Sequence, residues 1–508
     1  MASFSSSSSS SSSLWRQSRW LLMGAGVVVL WACNDHALAI PEPKPQVATE
    51  LTFQEAVNRD IDILFMVDDS LSMAPLIDKL AVNFPAFIQV LQNLPGGLPN
   101  IHLAVVSSDL GAGQWTGIAQ CRVGGDGGEF QDQVGAGTAA AGVPCAATGL
   151  DPGQHFISNV NGVANYDTNM GLATVFSCIA NLGEGGCGFE HQIQSVVRAL
   201  GADPAFPLPA KNAGFLRSNA YLAIILVTNE DDDSAPPVTP LFDTTSESVA
   251  DPYGPLQSYR ANEFGHLCDG APPPRTHAAS FPPGACVSAE DKGLLIPLHT
   301  MIAELETLKT DPSTIFVAAI AGPPDPYNVI LVPAPEGTSD AGAGIMWPNI
   351  DHSCVQSSGE YGDPSVRIKQ FVDAFGSNGV FESICAASFS PALADIATAL
   401  SRILSPQCVS GQLLDVNGDR AADDPNGVAQ GPDCAVTQHF VDASGTASDT
   451  VIPSCQESSG GQCWNLVTDP ARCPASGGVP AHMLTLTPPP SPNGAGLKLG
   501  VSCSIQPG

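Results

Sequence analysis

Two textures divide the chain. From about residue 60 to residue 406, short runs of Ile, Leu, Val and Phe alternate with stretches whose apolar residues recur at helical spacing. The runs predict strands at Ile61–Val67, Ile101–Val106, Ala220–Val227 and Thr314–Ala321. The helical periods predict helices over Pro75–Leu94, Glu190–Leu200, Leu294–Leu308, Pro364–Phe375 and Pro391–Leu404. In the last of these, Leu393, Ile396, Leu400 and Ile403 line one face. Strands that are apolar throughout and separated by helices predict an α/β fold with a mostly parallel sheet covered on both faces. Three Gly, Pro and Asp rich segments, roughly Gly111–Val175, Asp231–Asp291 and Gly322–Gly362, are longer than structureless connections usually are. Such loops are expected to be functional or pinned by cross-links, and each contains cysteine. Beyond Ser405 the helical period vanishes, so residues 407–508 predict a small β-rich, Cys-rich cap.

The N-terminus adds a compartment. Ser5–Ser13, Arg16 and Arg19 precede the apolar run Trp20–Ala32, which has the order of an export signal and is too short for a membrane span. It ends Leu30-Trp31-Ala32-Cys33, which resembles a bacterial lipobox and implies that residues 1–33 end in an acylated Cys33. The competing reading is an ordinary cleaved signal in which Cys33 is incidental. Residues 34–59, Pro-rich around Ile40-Pro41-Glu42-Pro43, suit an extended tether before the domain at 60–406.

Charge and cysteine content narrow the function class. With 19 Lys and Arg against 50 Asp and Glu, the net charge of -31 argues against nucleic acid or an anionic lipid surface as partner. The 15 cysteines are odd in number, and setting Cys33 aside leaves an even set for disulfides in an oxidising compartment. Cys178 and Cys187, Cys268 and Cys286, and Cys354 and Cys385 are local neighbours, while no C-x-x-C pair suggests zinc. Connectivity stays open at this level.

The chemistry concentrates in D-I-L-F-M-V-D-D-S-L-S-M, residues 62–73. Asp68, Ser70 and Ser72 alternate after a buried strand, so a sharp loop could turn their oxygens toward one hard divalent cation. The plainer reading is a solvated turn that caps the next helix. The stretch resembles the first strand and metal loop of von Willebrand factor A domains. That resemblance implies a doubly wound α/β domain, a metal-ion-dependent adhesion site at the strands' carboxyl ends, and binding without turnover. It also implies a divalent ion, Mg2+ in most members and Ca2+ or Mn2+ as the other candidates, whose shell an acidic group on a partner completes. The family's later aspartate falls at Asn229, within T-N-E-D-D-D-S, where Asp231, Asp232 and Asp233 could add charge. The family's threonine loop is expected at Gly185–His191, which has no threonine; Glu190 is the best local oxygen donor there, its competing reading being a carboxylate that complements the dipole at a helix start. His191 is the histidine nearest the proposed site and reads as an exposed, solvated side chain.

The combination with A-A-I-A-G-P-P, Ala318–Pro324, is further similar to exported, Cys-rich A-domain proteins of myxobacteria and related deltaproteobacteria. A secondary metal candidate, Asp415, Asn417, Asp419 and Asp423, surrounds Gly418 but lacks the closing Glu of an EF-hand and competes with an ordinary Asx-Gly turn. No nucleophile elbow, H-E-x-x-H helix or phosphate-binding glycine loop occurs, so no enzyme is expected. The expectation is an exported, lipid-anchored protein of the bacterial envelope that binds a protein or glycan partner through a cation. The alternative is a structural envelope lipoprotein with a degenerate site.

Overall fold

The computed structural model describes residues 51–54, 59–94, 97–342, 344–404, 408–410, 434–441, 447–455, 462–467, 473, 481–487 and 497–503, all within the compact unit Pro45–Gly508. Cys33, most of the expected tether and the Asp415–Asp423 segment lie outside the described residues.

A seven-stranded sheet organises the larger part. Its strands are β1 (Asp60–Val67), β2 (Asn100–Ser107), β3 (Ile157–Val160), β4 (Val163–Ala164), β5 (Tyr221–Val227), β6 (Ile315–Ala321) and β7 (Gly379–Ser383). Their spatial order is β7-β6-β5-β1-β2-β3-β4. The five strands from β7 to β2 are mutually parallel, and β3 closes the far side antiparallel to β2. Counting from β1 and leaving the short β4 aside, this is the 3-2-1-4-5-6 order of doubly wound sheets, whose reversal point lies beside the first strand.

Alternation along β1 shows why the sheet must be covered twice. Ile61, Ile63, Phe65 and Val67 enter one core, with α1 (Ala74–Gln92), α2 (Leu172–Ile179) and α7 (Ser390–Leu404). Leu64 and Met66 enter the other, with α3 (Gln192–Ala199), α5 (Leu298–Glu306) and α6 (Val366–Ala374), while α4 (Tyr259–Gly265) joins neither and sets Ala261 in a smaller cluster with Cys187 and Phe189. Phe65 centres the first core, its ring meeting Phe84, Phe87 and Phe176 edge-on at centroid distances of 5.9, 5.8 and 5.0 Å. The exception on β1 is Asp62, fully buried, which accepts from Arg217 Nε and Arg217 N at 2.7 Å each. Burial raises its carboxyl, against the lowering effect of Arg217. A buried carboxylate with such a partner is tolerated where a lone one would not be.

Seven disulfides join fourteen cysteines. Cys268–Cys286 and Cys354–Cys385 pair as local neighbours. Cys178 and Cys187 do not pair with each other: Cys178 joins Cys145, and Cys187 joins Cys121. The Gly111–Val175 loop is thereby fastened at two points to the segment that follows it. Cross-links in this number are usual in proteins that mature outside a reducing cytosol.

The Cys-rich end is built of strands, as its texture suggested. Leu497–Cys503 pairs with Cys434–Val441, which pairs with Ala447–Ile452, and a second sheet joins Cys408–Ser410, Ala481–Thr487 and Cys463–Val467. Its six cysteines pair among themselves. Within the segment expected to be an extended tether, Leu51–Gln54 is instead a strand, antiparallel to Leu497–Cys503.

Candidate metal centre

Three loops meet at the carboxyl ends of β1, β2 and β5. β1 runs directly into Asp68, whose N–H still donates to Val227 O at 3.0 Å, so the parallel pairing carries the chain to the edge of the site. The turn that follows is sharp. Ser70 N donates to Asp68 Oδ1 at 2.8 Å, and Met73 N donates to Ser70 O at 3.1 Å. The turn brings Ser70 Oγ and Ser72 Oγ to 3.4 Å from one another. Ser72 Oγ then reaches across 157 residues to donate to Asn229 Oδ1 at 3.0 Å. Asp68, Ser70, Ser72 and Asn229 are thus brought together.

Asp68 is fully buried and held on both oxygens. Oδ2 accepts from Thr228 Oγ1 at 2.7 Å, and Oδ1 also accepts from Ser108 Oγ at 3.3 Å. Burial raises its carboxyl, against these hydrogen bonds. Thr228 and Ser108 were missed in the sequence. Each directly follows the end of a strand, β5 and β2 respectively, and that shared position was the signal available.

Glu190 also comes to this place. It is 1% exposed, and neither carboxyl oxygen makes a hydrogen bond of good geometry among the described residues. Its N-terminal neighbours approach the first loop closely, with Gly186 N donating to Asp69 O at 2.9 Å. Its own carbonyl accepts from Asp233 N at 2.9 Å. Burial, then the charges of Glu230, Asp68 and Asp233, push Glu190 well above the usual carboxylate range. Glu230 is pushed up to about 8, by burial first and then by Asp363 and Asp68. Asn229 Nδ2 is likewise buried without a partner among the described residues.

The acidic run after Asn229 is largely committed elsewhere. Asp231 caps α6, its two oxygens accepting from Arg367 N at 2.9 Å and Ile368 N at 3.0 Å, and it pairs with His266 at 2.8 Å. Burial acts to raise Asp231, but His266 and these N–H groups outweigh it and leave the carboxyl below its ordinary value. Asp232 caps α3 through Ile193 N at 2.9 Å and meets the buried Arg367 at 3.0 Å. The charge anticipated there therefore serves mainly to fasten two helix N-termini, where backbone N–H groups lack partners.

His191 is not an exposed histidine. It is 3% exposed, its Nε2 lies 3.0 Å from Gly111 O, and its Nδ1 accepts from Ala235 N at 3.3 Å. Burial lowers its pKa to about 4, so the neutral ring acts as a bolt between loops. The helix expected from Glu190 starts at Gln192, leaving Glu190 in the loop where its side chain can turn inward.

One carboxylate, two hydroxyls, an amide and a second, unsatisfied carboxylate make an all-oxygen donor set suited to a hard cation. Among the described residues no group of three or more His, Cys, Asp or Glu side chains is arranged to hold a metal ion, so any such site depends on the hydroxyls.

No family model matches the chain, and no curated protein matches it. Among solved structures it is similar to a von Willebrand factor type A protein from Catenulispora acidiphila, at 10% identity and TM-score 0.24, covering 88% of this chain and 58% of that one. It is also similar to the pilus adhesin SpaC from Lactobacillus rhamnosus GG, at 12% identity and TM-score 0.29, covering 89% and 39%. A third is the pilus adhesin RrgA from Streptococcus pneumoniae, at 9% identity and TM-score 0.28, covering 90% and 57%. The chain therefore spans less than two thirds of the length of each. Overlaps this low carry no weight on function. The strand order with its antiparallel edge makes the larger part a doubly wound α/β domain, and the D-x-S-x-S turn stands at the end of β1, where the resemblance to von Willebrand factor A domains expects its metal loop.

Proposed function

We propose that the protein is a cation-dependent interaction protein of the cell envelope. In this reading Asp68, Ser70 and Ser72 hold Mg2+, Ca2+ or Mn2+, with Asn229 and Glu190 completing or orienting the shell. The bound ion would supply a Lewis-acidic contact for an acidic group on a protein or glycan partner, with no bond made or broken. The observation that carries it is Glu190: a buried carboxylate, neither oxygen of which makes a hydrogen bond of good geometry among the described residues, beside the Asp68 loop and Glu230. Buried charges are normally paired or bound to a metal, and a cation would offset this one. Export, with acylation of Cys33 as the anchor, belongs to the same proposal.

A second reading, a degenerate site in a structural envelope protein, draws on the Ser72–Asn229 hydrogen bond, through which two of the proposed ligands satisfy each other. A thermal titration separates the two. Under the first reading, Mg2+, Ca2+ or Mn2+ raises the melting temperature of the purified protein, and Asp68→Ala abolishes the shift. A wild-type protein indifferent to all three ions would favour the second.

A further inference from the structure

A cavity of about 430 Å³ opens beside the cation loop, with Asp69 on its wall. The Ser108 hydroxyl lies 3.3 Å from both Asp69 Oδ1 and Asp68 Oδ1, so one shared side chain links the cavity wall to the first of the proposed ligands. The remaining wall comes from the Gly111–Val175 loop and from Leu182 and Gly185. Cys121–Cys187 and Cys145–Cys178 pin that loop, so the cavity has a fixed shape before any ligand arrives. Its size falls in the range of small-molecule sites, about 300–1,000 Å³.

The hydrogen-bonding groups around it are planar and incompletely used. Gln120 donates from Nε2 to Glu184 O, and Gln131 donates from Nε2 to Asp126 Oδ2 and Glu129 O, so both amide oxygens remain as acceptors. The Gln133 side chain makes no hydrogen bond among the described residues. Arg122 is 63% exposed in its side chain and contacts Asp109 and Asp126 through Nη2, which leaves Nε and Nη1 free to donate. Its charge is already balanced by those two carboxylates, so the cavity itself has no spare positive charge to hold an anion. Val134, Ala136 and Leu182 supply apolar wall between the polar groups.

Amides, the carboxylates of Asp69 and Asp126 and a guanidinium edge, interleaved with small apolar surfaces, match a ring that carries adjacent hydroxyls and C–H faces. A peptide added as an extended strand would call for main-chain partners along a strand edge, and the lining is turn and irregular loop with one isolated bridge at Gln133. We propose that this cavity seats a sugar ring of an acidic glycan whose carboxylate reaches the cation at Asp68, Ser70 and Ser72. The second half of this rests on the cation reading above; the cavity and its lining do not.

The test is calorimetric binding of the purified protein to oligosaccharides bearing uronic or sialic acids, to the same sugars with the carboxyl reduced to an alcohol, and to a glutamate-containing peptide. Each is run in Mg2+ and in EDTA. Ala141→Trp fills the cavity from an exposed lining position, and Gln133→Ala removes an unused amide. Acidic sugars should bind in Mg2+ and lose about tenfold or more in both variants, while the Mg2+-induced thermal shift of each variant stays at the wild-type value. Acidic-sugar binding unchanged in both variants would overturn the proposal, as would no sugar binding at all with an intact Mg2+ shift. Peptide binding that Ala141→Trp blocks, in the absence of sugar binding, would assign the cavity to a protein partner and overturn it too. If the wild type shows no Mg2+ shift, the cation reading fails by itself. Sugar binding that persists in EDTA and is lost in Ala141→Trp would then still support the sugar cavity.

Discussion

Thr228 donates its hydroxyl to Asp68 Oδ2 at 2.7 Å, locking the end of β5 to the end of β1 at the point where both chains leave the sheet. The same hydroxyl oxygen accepts from Gln192 Nε2 and Glu230 N at 3.2 Å each, so one side chain ties the loops after β1 and β5 to the start of α3. Thr228→Val keeps the shape and removes both functions. It should destabilise the protein by about 1–3 kcal/mol in urea unfolding, because a buried carboxylate oxygen loses its hydroxyl donor. Thr228→Ser should restore most of that stability; equal loss in both variants would mean that the methyl packing, not the hydroxyl, is what matters.

Glu190 gives a pH signature in metal-free buffer. Its folded pKa is raised well above the ordinary glutamate value of 4.5, so the folded state binds more protons than the unfolded state above that pH. Stability from this group is therefore complete in acid and falls as pH rises through the folded value. Glu190→Gln should flatten that fall and at the same time shrink the stabilisation by Mg2+. Melting curves at several pH values, with EDTA and with Mg2+, read both effects; a variant that responds to Mg2+ like the wild type would remove Glu190 from the shell.

The sequence exposed those parts of the fold that depend on local pattern. β1, β2, β5 and β6 are buried along nearly their whole length, so each appears as an apolar run. β7 reads G-V-F-E-S and is half-buried at the sheet edge, which leaves no run to find. α2 straddles the end of the Gly111–Val175 loop expected from the sequence, because Gly and Asn residues on either side of Leu172–Ile179 mask an eight-residue helix. At the site, Asp68, Ser70 and Ser72 were legible because they are consecutive in alternation. The Asp231 and Asp232 caps were not, because their partners are the N-termini of α6 and α3, and Arg367 lies 135 residues from Asp232. The disulfides divide in the same way. Cys268–Cys286 spans 18 residues, and Cys121–Cys187 spans 66.

Gly186 is required by contact rather than by backbone angle. A Cβ built there would lie 2.3 Å from Asp69 Oδ1 and 2.5 Å from its Cγ. Asp69 is itself buried and accepts from Ser108 Oγ at 3.3 Å, so it cannot swing aside without breaking that bond. Gly186→Ala should therefore cost about 1–3 kcal/mol by overpacking. Urea unfolding measures the loss, and mass spectrometry of the non-reduced digest checks that Cys121–Cys187 still forms. An unchanged midpoint would show that the first loop yields easily, which would weaken any claim that it is preorganised.

His352 offers a second pH probe on the same domain. Its Nδ1 lies 2.5 Å from Asp363 Oδ1, and its ring stacks on Tyr361 at a centroid distance of 3.8 Å. The hydrogen bond to Asp363 is the largest influence and, against partial burial, raises the imidazole above its ordinary 6.5. A histidine raised in the folded state contributes stability that is fully present below its unfolded pKa and is lost as pH rises through the folded value. Because the pair is partly exposed, the contribution should stay below about 1 kcal/mol. The sharper readout is the His352 ring resonance in an NMR titration. Its midpoint should lie above 6.5 in the wild type and fall toward the ordinary value in Asp363→Asn, with little change in melting temperature above pH 8. A midpoint that does not move in Asp363→Asn would mean that Tyr361 stacking or the neighbouring Asp351 sets the imidazole instead.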